Sequence, residues 1–123
     1  MTPLGAKLRK MREERGMTLK QMAQALDVSS AYLSALEHGR KGKPTWFLVQ
    51  RIITHFNVIW DEAEEIQRLA EISDPKVTID TAGMAPEATE LTNRLAREIG
   101  RLDVEDLRFL HTELVRRAVR SRP

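Results

Sequence analysis

The chain of 123 residues has no cysteine. That excludes a disulfide framework and any thiolate metal site, and it suits a reducing compartment. There is no run of about 18 apolar residues, so no membrane-spanning helix is expected. The first residues, Met1-Thr-Pro-Leu-Gly, lack the apolar core of a signal peptide. Catalytic patterns are missing as well. The three histidines, His38, His55 and His111, are far apart, and no His-x-x-x-His, Gly-rich phosphate loop or nucleophile motif is found. The acidic run Asp61-Glu-Ala-Glu-Glu65 resembles a metal site, but at a helix start it answers the helix dipole more simply. No enzymatic activity, metal or cofactor is expected. No internal repeat or low-complexity segment interrupts the chain.

What is present is charge in an uneven arrangement. The net charge of +2 says little. Residues 1–56 hold ten Lys/Arg against four Asp/Glu, while residues 57–72 hold one Arg against five acids. Residues 73–123 hold nine of each sign. A basic block confined to one end is the electrostatic footprint of a nucleic-acid binder.

That block contains the most informative stretch, residues 17–39. Thr18 and Gln21 fit a Thr-x-x-Gln capping box. Leu19, Met22, Ala23 and Leu26 then form an apolar stripe at helical spacing. Asp27 stands at a turn where a residue tolerant of positive φ is wanted. Val28 points inward, and Ser29 or Ser30 caps a second helix that Leu33 and Leu36 hold against the first. Two helices at about 18–26 and 30–38, joined by a tight turn, are a helix-turn-helix, whose second helix enters the DNA major groove.

Helices surround the motif. Thr2-Pro3 starts one whose buried face is Leu4, Leu8 and Met11, and Gly16 stops it. After the basic loop Gly39-Arg-Lys-Gly-Lys-Pro44, Thr45 caps a helix carrying Trp46, Val49, Ile52, Ile53 and Phe56, ended by Asn57. Trp46 and Phe47 are adjacent, so one of them must face away from the core. A fifth helix starts near Asp61, with Asp61 and Glu64 as a capping box, and runs to about Ile72 through Ile66 and Leu69.

The stretch resembles the XRE family of lambda repressor-like transcriptional regulators. The shared pattern is Ala23, Val28-Ser29, Leu33-Ser34-x-Leu36-Glu37-x-Gly39, and Pro44-Thr45 after a basic loop. The likeness covers roughly residues 4–72 and implies a five-helix DNA-binding domain. It implies base reading by Ser30, Ala31, Tyr32, Ser34 and Ala35, on the side of the second helix away from Leu33 and Leu36. Ser30 and Ser34 can bond several base edges, and the alanines can only touch a thymine methyl. With no Gln, Asn or Arg there for a bidentate contact, discrimination leans on DNA shape and on residues outside this helix. The plain alternative for Tyr32 is an aromatic packed on a neighbouring side chain.

Phosphate contacts are expected from Thr18 and Lys20, and from His38, Arg40, Lys41 and Lys43 past the second helix. The alternative for the latter four is a solvated loop. Leu19 replaces the family's preferred Gln, and Asp27 replaces its usual Gly. Glu37 is read as structural, pairing with Arg9 or Arg12. Phe47 occupies a commonly polar position, which suggests a contact with the C-terminal helices or a partner.

Residues 73–85 break the helical pattern with turn chemistry. Within them Lys76-Val-Thr-Ile-Asp80 alternates and reads as a short strand or an extended linker. Two helices then return in the segment 86–123. One, over 87–99, carries Leu91, Leu95 and Ile99. The other, capped by Asp103, carries Leu107, Leu110 and Leu114. Gly100-Arg-Leu is a short connection that favours an antiparallel hairpin. Two amphipathic helices cannot bury their stripes alone. They pack on the N-terminal domain or on a second chain, and the dimer is the favoured reading.

The expectation is an all-α chain: a helix-turn-helix DNA-binding domain at 1–72, a linker, and a helical dimerisation segment. Its partner would be double-stranded DNA and its setting the cytoplasm. Its role would be a homodimeric repressor at a palindromic operator. Two rivals remain: an antitoxin of the same fold that engages a toxin through the C-terminal helices, and a protein–protein adaptor that has lost DNA binding.

Overall fold

The computed structural model describes residues 1–40 and 43–120. Seven α-helices carry the fold, and no strand occurs among the described residues. The chain divides between Val77 and Thr78 into two units.

The first unit holds α1 (Pro3–Glu14), α2 (Leu19–Ala25), α3 (Ser30–Glu37), α4 (Trp46–His55) and α5 (Trp60–Glu71). Four of the five starts are capped by a hydroxyl accepting a backbone N–H. Thr2 accepts from Gly5, Thr18 from Gln21, Ser29 from Tyr32 and Thr45 from Leu48. Ser29, not Ser30, is therefore the α3 cap. Leu4, Leu8, Met22, Leu26, Leu33, Ile52 and Ile66 are fully buried, so all five helices feed one core.

Contacts between distant segments fix how α1 sits. Ser73 Oγ accepts the Leu4 N–H at 2.9 Å and donates to the Leu69 carbonyl. One buried hydroxyl thus joins the end of α5 to an otherwise unpaired donor in the first turn of α1. Against α3, a Cβ added at Gly5 would lie 2.7 Å from the Glu37 carbonyl oxygen and 2.8 Å from that of Leu36. Glycine is needed there for proximity, not for its φ.

Two expectations are corrected, and one open alternative is decided. Trp46 is not a core residue: it is 67% exposed, and Phe47 is 70% exposed. Both face outward because Leu48, Val49 and Ile52 take the inner arc of α4. The Asp61–Glu64 capping box does not form. The helix begins at Trp60, after an Ile59 that makes no side-chain cap, so Asp61 lies inside the first turn. Trp60 enters it at φ 54°, an uncommon backbone for so bulky a residue. The segment 76–80 forms no strand and no backbone ladder among the described residues. Its local bonds are two aspartate turns, Lys76 N–H to Asp74 and Ala82 N–H to Asp80. Without an edge strand to meet, alternation alone makes no sheet.

The second unit holds α6 (Pro86–Glu98), a 3-10 turn (Ile99–Arg101) and α7 (Val104–Arg120). Asp103 and Asp106 cap α7 reciprocally, each carboxylate accepting the other's backbone N–H. Glu113 accepts from Arg116 and Arg117, which hold its carboxyl below the ordinary value. Neither helix contains a buried residue. They make little close backbone contact along their lengths, so the expected hairpin is an open one.

Candidate nucleic-acid interface

The helix-turn-helix is built by α2, a four-residue turn and α3. In α2 the capping box is complete: Thr18 Oγ1 accepts from Gln21 N–H at 3.1 Å, and Gln21 Oε1 accepts from Thr18 N–H at 2.8 Å. At the turn Asp27 adopts φ 58°, so the aspartate does take the left-handed backbone that glycine would favour. The Val28 N–H reaches back to the Ala23 carbonyl at 3.0 Å. Arg51 of α4 donates to the Leu26 carbonyl at 3.4 Å, covering the exposed end of α2.

Behind α3, Glu37 is 2% exposed and is held by Arg12. Nε donates to Oε2 at 3.1 Å and Nη2 to Oε1 at 3.2 Å. Of the two partners expected, Arg12 is the one used; Arg9 pairs with Glu13. The Glu37 hydrogen bond raises the Arg12 pKa further, against the opposing effect of burial. Arg12 Nη1 also donates to the Met17 carbonyl at 3.3 Å. A single guanidinium therefore ties the C-terminus of α3 to the chain entering α2.

The outer side of α3 presents Ser30 and Ala31 as exposed groups and Ser34 and Ala35 as half-buried ones. Tyr32 is half-buried and packs against the core, so much of its ring is already committed. Past α3, His38 is exposed, with Nδ1 2.8 Å from the Ser34 carbonyl. A carbonyl only accepts, so Nδ1 carries the proton and Nε2 is left for a partner.

The basic residues differ in how free they are. Lys7 lies near Glu62 and Glu65 of α5, and Lys43 is 2.6 Å from Glu71. Arg15 lies over the Phe56 ring at 4.7 Å. Lys20 and Arg40 are exposed and make no ion pair among the described residues. Lys41 lies outside the described residues. Thr18 is exposed although its hydroxyl is used as the cap. Sequence reasoning passed over Gly5, Arg51 and Ser73. Each acts through a contact with a distant segment, which no local pattern announces.

A five-helix unit with a capped helix-turn-helix and a basic exit loop defines the class. The model of the helix-turn-helix domain family matches residues 3–69, more than half of the chain, and the chain belongs to that family. The XRE likeness agrees with this membership. Two relatives come from Bacillus subtilis (strain 168). The uncharacterized HTH-type transcriptional regulator RghRB is 31% identical over 50% of this chain and 44% of its own length. The HTH-type transcriptional repressor RghR is 27% identical over 92% of this chain and 83% of its own. The chain thus spans less than half of the first relative and most of the second. No solved structure matches the chain. Among the described residues no helix is long and apolar enough to cross a membrane.

Proposed function

We propose that the chain is a homodimeric transcriptional repressor that binds a palindromic operator. The observation that carries this reading is the alignment with a named repressor across 92% of the chain, a span long enough to reach into both C-terminal helices. In this reading α3 enters the major groove and offers Ser30, Ala31, Tyr32, Ser34 and Ala35 to base edges. Lys20, Arg40, Lys41, Lys43, His38 and Thr18 engage phosphates and set the register. Lys43 must first leave Glu71.

The dimer is assigned to α6 and α7. Leu91, Leu95, Ile99, Leu107, Leu110 and Leu114 are between 38% and 64% exposed. Such a set of large apolar side chains on two neighbouring helices is a surface that wants a partner. A two-fold axis through it would give an isologous interface. It would also present two α3 helices to half-sites about one DNA turn, ~34 Å, apart.

The test is selection of bound sequences from random duplex DNA, followed by footprinting of the best binder. The expected result is two inverted half-sites protected by one dimer. Enrichment of a single asymmetric site by a monomer, or no enrichment at all, defeats the reading.

A further inference from the structure

α7 carries a heptad seam with one polar member at its centre. Val104, Leu107, His111, Leu114 and Ala118 follow one another at intervals of three and four residues. That is the a/d spacing by which helices pack on each other, and His111 occupies the middle a position. The structure places the imidazole on the wall of an open apolar groove of about 610 Å³ between α6 and α7. Leu95, Ile99, Leu107, Leu110 and Leu114 line the groove with it.

The charged surroundings of His111 are one-sided. α6 contributes only the apolar Leu95 to this groove and the 3-10 turn only Ile99, and α7 contributes Arg108 and Thr112 beside the histidine. No carboxylate lines it among the described residues. Within one chain a protonated imidazole here would have no carboxylate in the groove, and Arg108 shares its wall.

α6 cannot close the groove by itself. The apolar arc of α7 continues past His111 to Val115 and Val119, which are 48% and 59% exposed. One flanking helix covers one side of such an arc. The occupant that matches the other side is a helix with the same spacing, and a second copy of this chain supplies it.

We infer that His111 is a pH-sensitive element of the interface between two copies: the dimer forms with neutral imidazoles and loosens when they are protonated. This rests on the dimer proposed above. Histidine changes charge between about pH 5 and 8, the range in which such a switch operates. Burial disfavours the charged form, so association is complete in neutral to mildly alkaline solution. It weakens as the pH falls through the range in which histidine gains charge. The two copies bring two histidines and two Arg108 side chains to one interface, so the effect is doubled and the repulsion is mutual.

The test is sedimentation equilibrium of the full chain at about pH 8 and about pH 5.5, with wild type, His111→Leu and His111→Gln. Expulsion of one proton per histidine gives up to about tenfold per pH unit for each, so the wild-type dimer constant should weaken by about tenfold or more at the lower pH. Both variants should lose that dependence, and His111→Leu should dimerise more tightly. The glutamine variant keeps a polar, uncharged group, so the comparison survives if leucine disturbs folding. Replacement of His38 and His55 by Gln should leave the pH effect in place. A wild-type dimer equally tight at both pH values overturns the inference while the dimer stands. So does an equal loss in the His111 variants. A chain monomeric at both pH values defeats the dimer reading itself.

Discussion

Arg12 grips Glu37 with two parallel hydrogen bonds, 3.1 and 3.2 Å long, from one helix to the end of another 25 residues away. Bidentate pairing fixes orientation as well as distance. Since Arg12 also holds the Met17 carbonyl, it sets the position of α3 relative to the start of α2. These are the two segments to which base and phosphate contacts are assigned.

Glu37→Ala should therefore destabilise the chain and weaken DNA binding together. Breaking a buried pair costs about 3–5 kcal/mol. Arg12 is 17% exposed and can recover some hydration, so the loss should fall near the low end. Urea unfolding of wild type and variant gives the number. A stability unchanged within about 0.5 kcal/mol, the usual scatter for surface substitutions, would mean the fork is not a brace.

Gly5→Ala tests the neighbouring approach of α1 to α3. The added methyl meets two carbonyl oxygens of α3 at under 3 Å, and backbone cannot swing aside as a side chain can. Overpacking costs about 1–3 kcal/mol, offset by up to about 1 kcal/mol from the better helix propensity of alanine. A net loss of about 1–2 kcal/mol is expected, with DNA affinity falling as α3 is pushed outward. An alanine variant more stable than wild type would show that α1 and α3 separate without penalty.

These two contacts also mark the border of what the sequence discloses. Thr2, Thr18 and Thr45 were legible at helix starts, and Ser29 as one of two candidates with Ser30, because a cap needs only three following residues. Asp27 at a positive φ was legible for the same local reason. Gly5 was not, because the approach of α1 to α3 is a tertiary event, and Ser73 reaches back 69 residues to Leu4. Trp46 was misplaced because α4 offers more apolar residues than its inner arc can take, and Leu48 fills that arc instead. Val77 and Ile79 alternate like a strand, yet a strand needs a neighbour that an all-helical unit does not provide. For the interface, chemistry and spacing pointed to the outer side of α3. That Tyr32 packs on the core, and that Lys43 is engaged by Glu71, depended on the fold.

Phosphate binding by the basic exit loop predicts a change in salt dependence. Replacing Arg40, Lys41 and Lys43 together by Ala should weaken binding to every sequence. It should also flatten the log–log salt slope by nearly one unit for each phosphate that is no longer neutralised. Glu71→Gln should do the reverse for affinity, because Lys43 no longer has to leave a carboxylate 2.6 Å away. Fluorescence anisotropy on random duplex DNA across a salt series measures both. An unchanged slope in the triple variant removes the loop from the interface.

Base reading by α3 predicts a different signature. Ser30→Ala should cost roughly 1–3 kcal/mol at the selected operator and little on random DNA, since base contacts specify while phosphate contacts position. Tyr32→Ala should lower stability as well, because its ring packs on the core. Competition binding with operator and random duplexes separates the two effects. Equal losses on both DNAs for Ser30→Ala would place it on the backbone rather than on a base.

The last prediction concerns what α6 and α7 do for operator binding. If they form the dimer, their removal should leave a folded monomer. The cut belongs after Val77, the end of the first unit, because Ser73 must stay to hold Leu4. That fragment should bind a single half-site weakly and show no preference for two inverted half-sites over one. In the full chain, Leu107→Lys with Leu114→Lys places charges on the apolar seam. Neither leucine is buried in the isolated chain, so folding should survive while association fails. Light scattering at tens of micromolar should report a dimer for wild type and a monomer for both the fragment and the double variant. Operator affinity should fall in parallel, while affinity for random DNA per monomer stays the same. A dimeric fragment would move the interface into the first unit. A double variant that remains dimeric would move it off the leucine seam.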